Sequence, residues 1–308
     1  MNIVLVWAWD TKLSSLGFLL TDIWYTNIIG IDKSQSQITA WLEKAGVQMI
    51  YGYGIYEIQA GDVVIYSDAC PTVPEVLSAK AVHATWVKGV QLPYSYFQFL
   101  GQISKYFETI AITGTDEKST TTAMMTYAMS QFDPAFGLWI FGEIAPQLHN
   151  KNYWINLENP TIKHDLQEIF IRILTGKIVG WDEWLRKKYR FAIEADESHR
   201  NFLYLDIDHA IILNADLDHK EIHDSKEGYL TTYIQFIEKV KSNIFALTWE
   251  VGIDYLKSQC PKIQCIEKTS IQLPYIFDEH NQKYATLILA LLEKVAGIDI
   301  QNIDSQKI

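Results

Sequence analysis

The chain has 308 residues, 48% of them hydrophobic and 20% charged, with a net charge of −11, which is enough apolar material for a large core and about two domains. That acidity excludes broad binding to nucleic acid or to an anionic membrane, while leaving room for a local basic pocket that takes phosphates. Cys70, Cys260 and Cys265 have neither metal-ligand spacing nor an even count for disulfides, so free thiols in a reducing cytoplasm are expected.

The apolar run from Met1 to Val6 is too short for a signal or a membrane span, and the chain is expected to begin directly with structure. Hydrophobic spacing predicts a buried strand over 2–7, a helix over 11–24, a strand over 27–32 ending at Asp32, and a helix over 35–46 closed by Gly46. A short strand follows at Gln48–Ile50, then the acidic turn Gln59–Asp62, a strand over 63–66 and a helix over 74–82. Strand and helix in alternation predict a Rossmann-like, doubly wound parallel sheet over residues 1–105, with 92–104 as a linking helix. A second α/β domain over 106–308 is expected, with strands near 110–113, 190–194, 209–213 and 243–247. The polar stretch 147–165 reads as surface loop.

The chemistry concentrates in this second domain. Ile110-Ala-Ile-Thr113 is an apolar strand feeding Gly114-Thr115-Asp116-Glu117-Lys118-Ser119-Thr120, the order of a loop that cradles a nucleotide triphosphate ahead of a helix. Lys118 can reach phosphates as a point charge, and Ser119 or Thr120 offers a hydroxyl to Mg2+. An ordinary strand-to-helix turn is the bland alternative, because the full Gly-x-x-x-x-Gly-Lys spacing is missing: Glu117 stands where glycine is expected. Two further apolar strands end in polar strings, Glu194-Ala-Asp196-Glu197-Ser198 and Asn214-Ala-Asp216-Leu-Asp218-His219. In open α/β sheets the carboxyl ends of strands are where ligands sit, and a histidine delivered there is a candidate metal ligand.

These strings, in this order, resemble the Mur ligases. The resemblance extends to Asp62-Val-Val-Ile-Tyr-Ser67-Asp-Ala69 with Pro74-Glu75, which is similar to that family's sugar-nucleotide turn, and to Leu273-Pro274 with His280-Asn281, similar to the segment closing its central domain. It implies a P-loop ATPase-like central α/β domain and ligation of the carboxylate of UDP-N-acetylmuramate to the amine of L-alanine through an acyl phosphate, with ATP and Mg2+. Lys118 would hold the transferred phosphoryl group, Ser119 and Glu194 would coordinate Mg2+, His219 would bind a second cation, and Asn281 would contact adenine. Gly114, Thr115, Asp116, Glu117 and Thr120 would complete the ATP loop, and Trp7, Trp9, Asp32, Ser67 and Ala69 would line the UDP-sugar site. The family's third, C-terminal domain is not among the 308 residues, so for a complete ligase it would lie on a separate polypeptide or have been lost from the reading frame. A non-catalytic Mur-like binder or partner protein is the alternative. Tyr284 replaces an expected asparagine, and Glu279 an expected arginine.

Ten tryptophans are present, and Trp7, Trp9 and Trp24 stand where the family or local turn chemistry calls for glycine, with Trp86 and Trp139 as weaker members of the set. One explanation is a source that reads UGA as glycine; the other is drift in a chain that no longer binds a sugar nucleotide. Glu117 has neither explanation, since no glutamate arises from UGA.

Overall fold

The computed structural model describes residues 1–8, 10–83, 93–145, 151–157, 159–175, 187–217, 225–267 and 279–300. Chain contacts divide the molecule into two units: Met1–Ile103 with Gly142–Glu183, and Ser104–Phe141 with Trp184–Ile308.

The first unit is built on five strands in the order β3-β2-β1-β4-β5. They are β1 (Ile3–Val6), β2 (Ile28–Asp32), β3 (Gln48–Tyr51), β4 (Val63–Tyr66) and β5 (Tyr94–Ser95), all parallel. Helices α1 (Thr11–Asp22), α2 (Gln37–Ala45), α3 (Pro74–His83) and α4 (Tyr96–Ser104) alternate with them. β1 and β4 are apolar and buried along their whole length, as expected for parallel strands covered on both faces. This is a doubly wound half-sheet, and its central strand β1 places Trp7 between the ends of β2 and β4.

The same unit gains β8 (Lys151–Ile155) and α6 (Pro160–Thr175), where the sequence had suggested surface loop. Tyr153 and Ile155 are buried on either side of the half-buried Trp154, a short apolar run hidden by flanking asparagines and lysines. Asn152 donates to the Thr11 carbonyl, Tyr153 Oη to Asp22 Oδ2 at 2.5 Å, and Gln167 Nε2 to the Ile23 carbonyl at 3.0 Å.

The second unit centres on six strands of the second sheet, in the order β12-β11-β10-β6-β9-β7. Its strands include β6 (Glu108–Thr113), β7 (Phe136–Ala145), β9 (Arg190–Glu194), β10 (His209–Ile212), β11 (Ile244–Leu247) and β12 (Ile263–Ile266). β6 pairs in parallel with β10 on one side and β9 on the other. Its helices are α5 (Lys118–Phe132), α7 (Lys226–Lys239), α8 (Ile253–Gln259) and α9 (Glu279–Leu291), with α9 packed against α5 and β11.

At the opposite end of this sheet from the loop Gly114–Lys118, Arg190 binds Asp133 through Nη1 at 2.7 and 2.8 Å and Glu108 through Nε at 2.9 Å. His209 Nδ1 accepts from the Asn243 backbone N–H at 3.4 Å, so Nε2 carries the proton that reaches Glu108 Oε1 at 3.0 Å. The His209 hydrogen bond, with Arg190 beside it, holds the Glu108 carboxyl below its ordinary range.

Candidate functional site

The register of β6 with its neighbours brings the sequence-read strings to one edge. Gly114 follows β6, Asn214 follows β10 and Glu194 ends β9, so all three leave adjacent parallel strands at their carboxyl ends. Gly114 is required there: a Cβ on it would sit 2.9 Å from Leu213 Cβ and 3.2 Å from the Asn214 nitrogen. The loop thus lies directly on the end of β10.

Side chains then fasten it. Asn214 Oδ1 accepts the Asp116 N–H at 2.9 Å while its Nδ2 donates to the Asp116 carbonyl at 3.4 Å and to Tyr284 Oη at 3.3 Å. Thr115 Oγ1 donates to the Asp216 carbonyl at 2.8 Å and lies 3.0 Å from Tyr229 Oη. Tyr284 is fully buried, and burial pushes its hydroxyl up to about 12.

Lys118 and Ser119 open helix α5. Ser119 Oγ donates to Glu194 Oε2 at 3.0 Å, whereas Thr120 is exposed. Lys118 Nζ donates to the carbonyls of Gly114 at 2.6 Å and Thr115 at 3.1 Å, and to Glu197 Oε1 at 3.1 Å. Burial pushes the Glu197 carboxyl up, against the opposite pull of Lys118. Glu117 is the N-cap of α5 with left-handed backbone, φ 63°, and its side chain makes no capping bond.

The hydroxyl of Ser119 and the carboxylate of Glu194 form an oxygen donor pair that suits a hard divalent cation such as Mg2+. Among the described residues no group of three or more His, Cys, Asp or Glu could hold a metal by itself. His219 and Asp218, the expected second-cation ligands, lie outside the described residues, as do Leu273 and Pro274. Asn281 lies in the first turn of α9. The partnership of Lys118 with Glu197 was missed by sequence reasoning, although Glu197 stands inside the acidic string that drew notice.

The first unit has its own sheet-edge cluster. Trp7 follows β1 with φ 73° and donates its N–H to the Ile31 carbonyl at 2.8 Å. Asp32 ends β2 and is buried, and Ser67 follows β4. Ala69 is exposed and donates its N–H to Ser67 Oγ at 3.4 Å. Trp9 and Trp86 lie outside the described residues, and Trp139 is a fully buried residue of β7 without left-handed backbone. Asp10, which the sequence reading passed over, caps α1 by accepting the Lys12 N–H at 2.9 Å and bonds Ser67 Oγ at 2.7 Å. An aspartate directly before an apolar-periodic run is the signal that could have found it.

With a Rossmann-type unit and an α/β unit whose strand-to-helix loop carries Lys118, the chain is similar in sequence and in fold to Mur ligases. Its relatives include UDP-N-acetylmuramate–L-alanine ligases. That of Koribacter versatilis is 25% identical over 231 residues, 74% of this chain and 40% of the relative. The chain therefore spans about two fifths of that relative's length. No protein-family model matches. The fold is that of solved Mur ligases. The UDP-N-acetylmuramate:L-alanyl-gamma-D-glutamyl-meso-diaminopimelate ligase from Neisseria meningitides superposes with a TM-score of 0.72 at 16% identity, covering 99% of this chain and 95% of that one. The UDP-N-acetylmuramate-alanine ligase from Thermotoga maritima superposes with a TM-score of 0.67 at 18% identity, covering 97% and 66%. The three cysteines are free, and no helix among the described residues is long and apolar enough to cross a membrane.

Proposed function

We propose that the chain forms the sugar-nucleotide half and the ATP half of a cytoplasmic, ATP-dependent carboxylate–amine ligase that makes peptidoglycan precursors. The observation that carries this reading is the juxtaposition of Lys118, Ser119 and Glu194 at one sheet edge, with Ser119 Oγ 3.0 Å from Glu194 Oε2. In the reaction, the carboxylate of UDP-N-acetylmuramate attacks the γ-phosphorus of ATP and ADP departs. The amine of L-alanine then attacks the acyl phosphate carbon, inorganic phosphate leaves, and an amide remains. Lys118 balances charge on the transferred phosphoryl group, and Ser119 and Glu194 would hold Mg2+, which neutralises phosphate charge. Asn214 and Thr115 keep the loop in register with β10, so positioning precedes chemistry. His219 as second-cation ligand, Asn281 at adenine, and Trp7, Trp9, Asp32, Ser67 and Ala69 at the sugar nucleotide complete the proposal.

The test is calorimetric titration with Mg-ATP, followed by ADP release in the presence of UDP-N-acetylmuramate and L-alanine. Saturable binding that Lys118→Ala abolishes supports the reading. No binding by the chain or by Glu117→Gly overturns it.

Glu117 favours a second reading, a Mur-like binder or partner without turnover. A carboxylate about 4 Å from a phosphate charge costs roughly 4 kcal/mol at an effective dielectric of about 20. Nucleotide binding without ADP release, even with a supplied third domain, would support it.

A further inference from the structure

We propose that Glu197 is the positioning residue of the phosphate loop: it holds Lys118 against the loop, and a phosphate binds by displacing the Glu197 carboxylate from the lysine ammonium. The inference rests on the nucleotide reading above and adds the step by which the loop becomes competent.

An ammonium has three donors, and those of Lys118 meet three acceptors: the carbonyls of Gly114 and Thr115 and the Glu197 carboxylate. Two of the three belong to the loop that the lysine would serve. The lysine is thus folded back on its own cradle, and a phosphate oxygen can be received only if one of these bonds opens.

Glu197 is suited to the part by its surroundings. It is 0% exposed, and among the described residues the charged and titratable groups facing it include Lys118, Asp196 and the buried phenol of Tyr233. Of these only Lys118 is cationic. The acids of the string divide their work: Glu194 takes the Ser119 hydroxyl, Asp196 accepts the Ser198 N–H at 2.9 Å and shapes its own turn, and Glu197 takes Lys118. A buried ion pair is a weak source of stability but strongly resists losing one partner. Phosphate must therefore displace a carboxylate whose side chain is buried against Lys118, which lowers affinity relative to a loop with a neutral residue at 197.

Glu197→Gln keeps the shape and an acceptor oxygen for Lys118 while removing the charge. Titration of the full chain with Mg-ATP, and separately with inorganic tripolyphosphate, is expected to show binding at least tenfold tighter than wild type for both probes. Glu197→Asp, whose shorter side chain withdraws from Lys118, should show an intermediate gain, and serves if the glutamine variant does not fold. A thermal double-mutant cycle in the ligand-free protein, with Lys118→Met, Glu197→Gln and the pair, reads the contact without any ligand. The double variant should recover more than half of the Tm that the single variants lose together.

Equal or weaker binding by Glu197→Gln and Glu197→Asp, with wild-type binding measurable, overturns the displacement. Additive Tm losses overturn the contact and leave the nucleotide reading standing. A coupled cycle with no binding of either probe by wild type or variant overturns the nucleotide reading, and the displacement with it.

Discussion

Trp24 fills, at the end of α1, the place that Gly46 fills at the end of α2. In α1 the Tyr25 N–H reaches the Leu20 carbonyl and the Trp24 N–H the Thr21 carbonyl; in α2 the Val47 N–H reaches Leu42 and the Gly46 N–H reaches Glu43. Both are six-residue caps whose fifth residue is left-handed, with φ 75° at Trp24 and 105° at Gly46. Trp24 is 69% exposed, and Lys163 Nζ lies 3.6 Å from its ring centroid.

The comparison makes a stability prediction that separates backbone from ring. Trp24→Gly and Trp24→Ala both lose the cation–π contact, but only alanine keeps a Cβ at positive φ. The glycine variant should be the more stable by about 1 kcal/mol in chemical denaturation. Gly46→Ala should lose a similar amount, since a Cβ there meets nothing within 4 Å and only the backbone is strained. Equal stability of the two Trp24 variants would contradict this.

Trp7 and Trp24 share left-handed backbone, while Trp139 does not. If UGA is read as glycine in the source, the codons at 7, 9 and 24 are UGA and the codon at 139 is UGG. The intact mass of natively expressed protein would then fall short of the translated mass by one tryptophan-to-glycine difference per site. UGG at all three positions ends the explanation.

Glu117→Gly removes both a left-handed glutamate and a negative charge from the mouth of the loop. A gain of about 1–2 kcal/mol in stability is expected from the backbone, together with at least tenfold tighter binding of Mg-ATP by calorimetry. Improved stability with unchanged affinity would place the carboxylate out of reach of the phosphates.

Asn214→Ala cuts the fastening of the loop to β10 and strips partners from Asp116 and Tyr284. The expected loss is about 1–3 kcal/mol of stability, and a weaker Mg-ATP affinity than that of Asp216→Asn, whose contribution to Thr115 is through its carbonyl. A variant as tight as wild type would deny Asn214 any part in positioning.

For Glu108 the folded-state carboxyl is lowered, so its stabilisation is complete above the unfolded value near 4.5 and is lost as pH falls through the folded value. Wild type should therefore be more stable than Glu108→Gln at about pH 6, and the Tm gap should close toward about pH 3. A gap independent of pH would mean that Arg190 and His209 do not discriminate between the charged and neutral forms.

Much of the second unit's sheet edge could be read from residue order, because Gly114, Lys118, Glu194 and Asn214 each follow an apolar strand whose parallel pairing dictates where its end must lie. What could not be read is which polar side chain takes which partner. Glu194 and Glu197 are three residues apart and equally acidic, yet one receives Ser119 and the other Lys118. That assignment depends on the turn directly after β9, which Asp196 shapes by accepting the Ser198 N–H. Strand β8 was illegible for a simpler reason: only Tyr153 and Ile155 carry its buried apolar face, too short a pattern to stand out among asparagines.

The attachment of Gly114, Thr115 and Asp116 to the end of β10 separates the shape of the loop from its appetite for phosphate. Because the anchor lies ahead of residue 117, substitutions at 117 retune charge without dislodging the scaffold that carries it. A lineage can pass through weak and strong binders along a series of single changes at this position, each folding to the same outline. Likeness of fold to solved ligases then leaves the capacity for phosphate open, and on the nucleotide reading the carboxylates at 117 and 197 would set it.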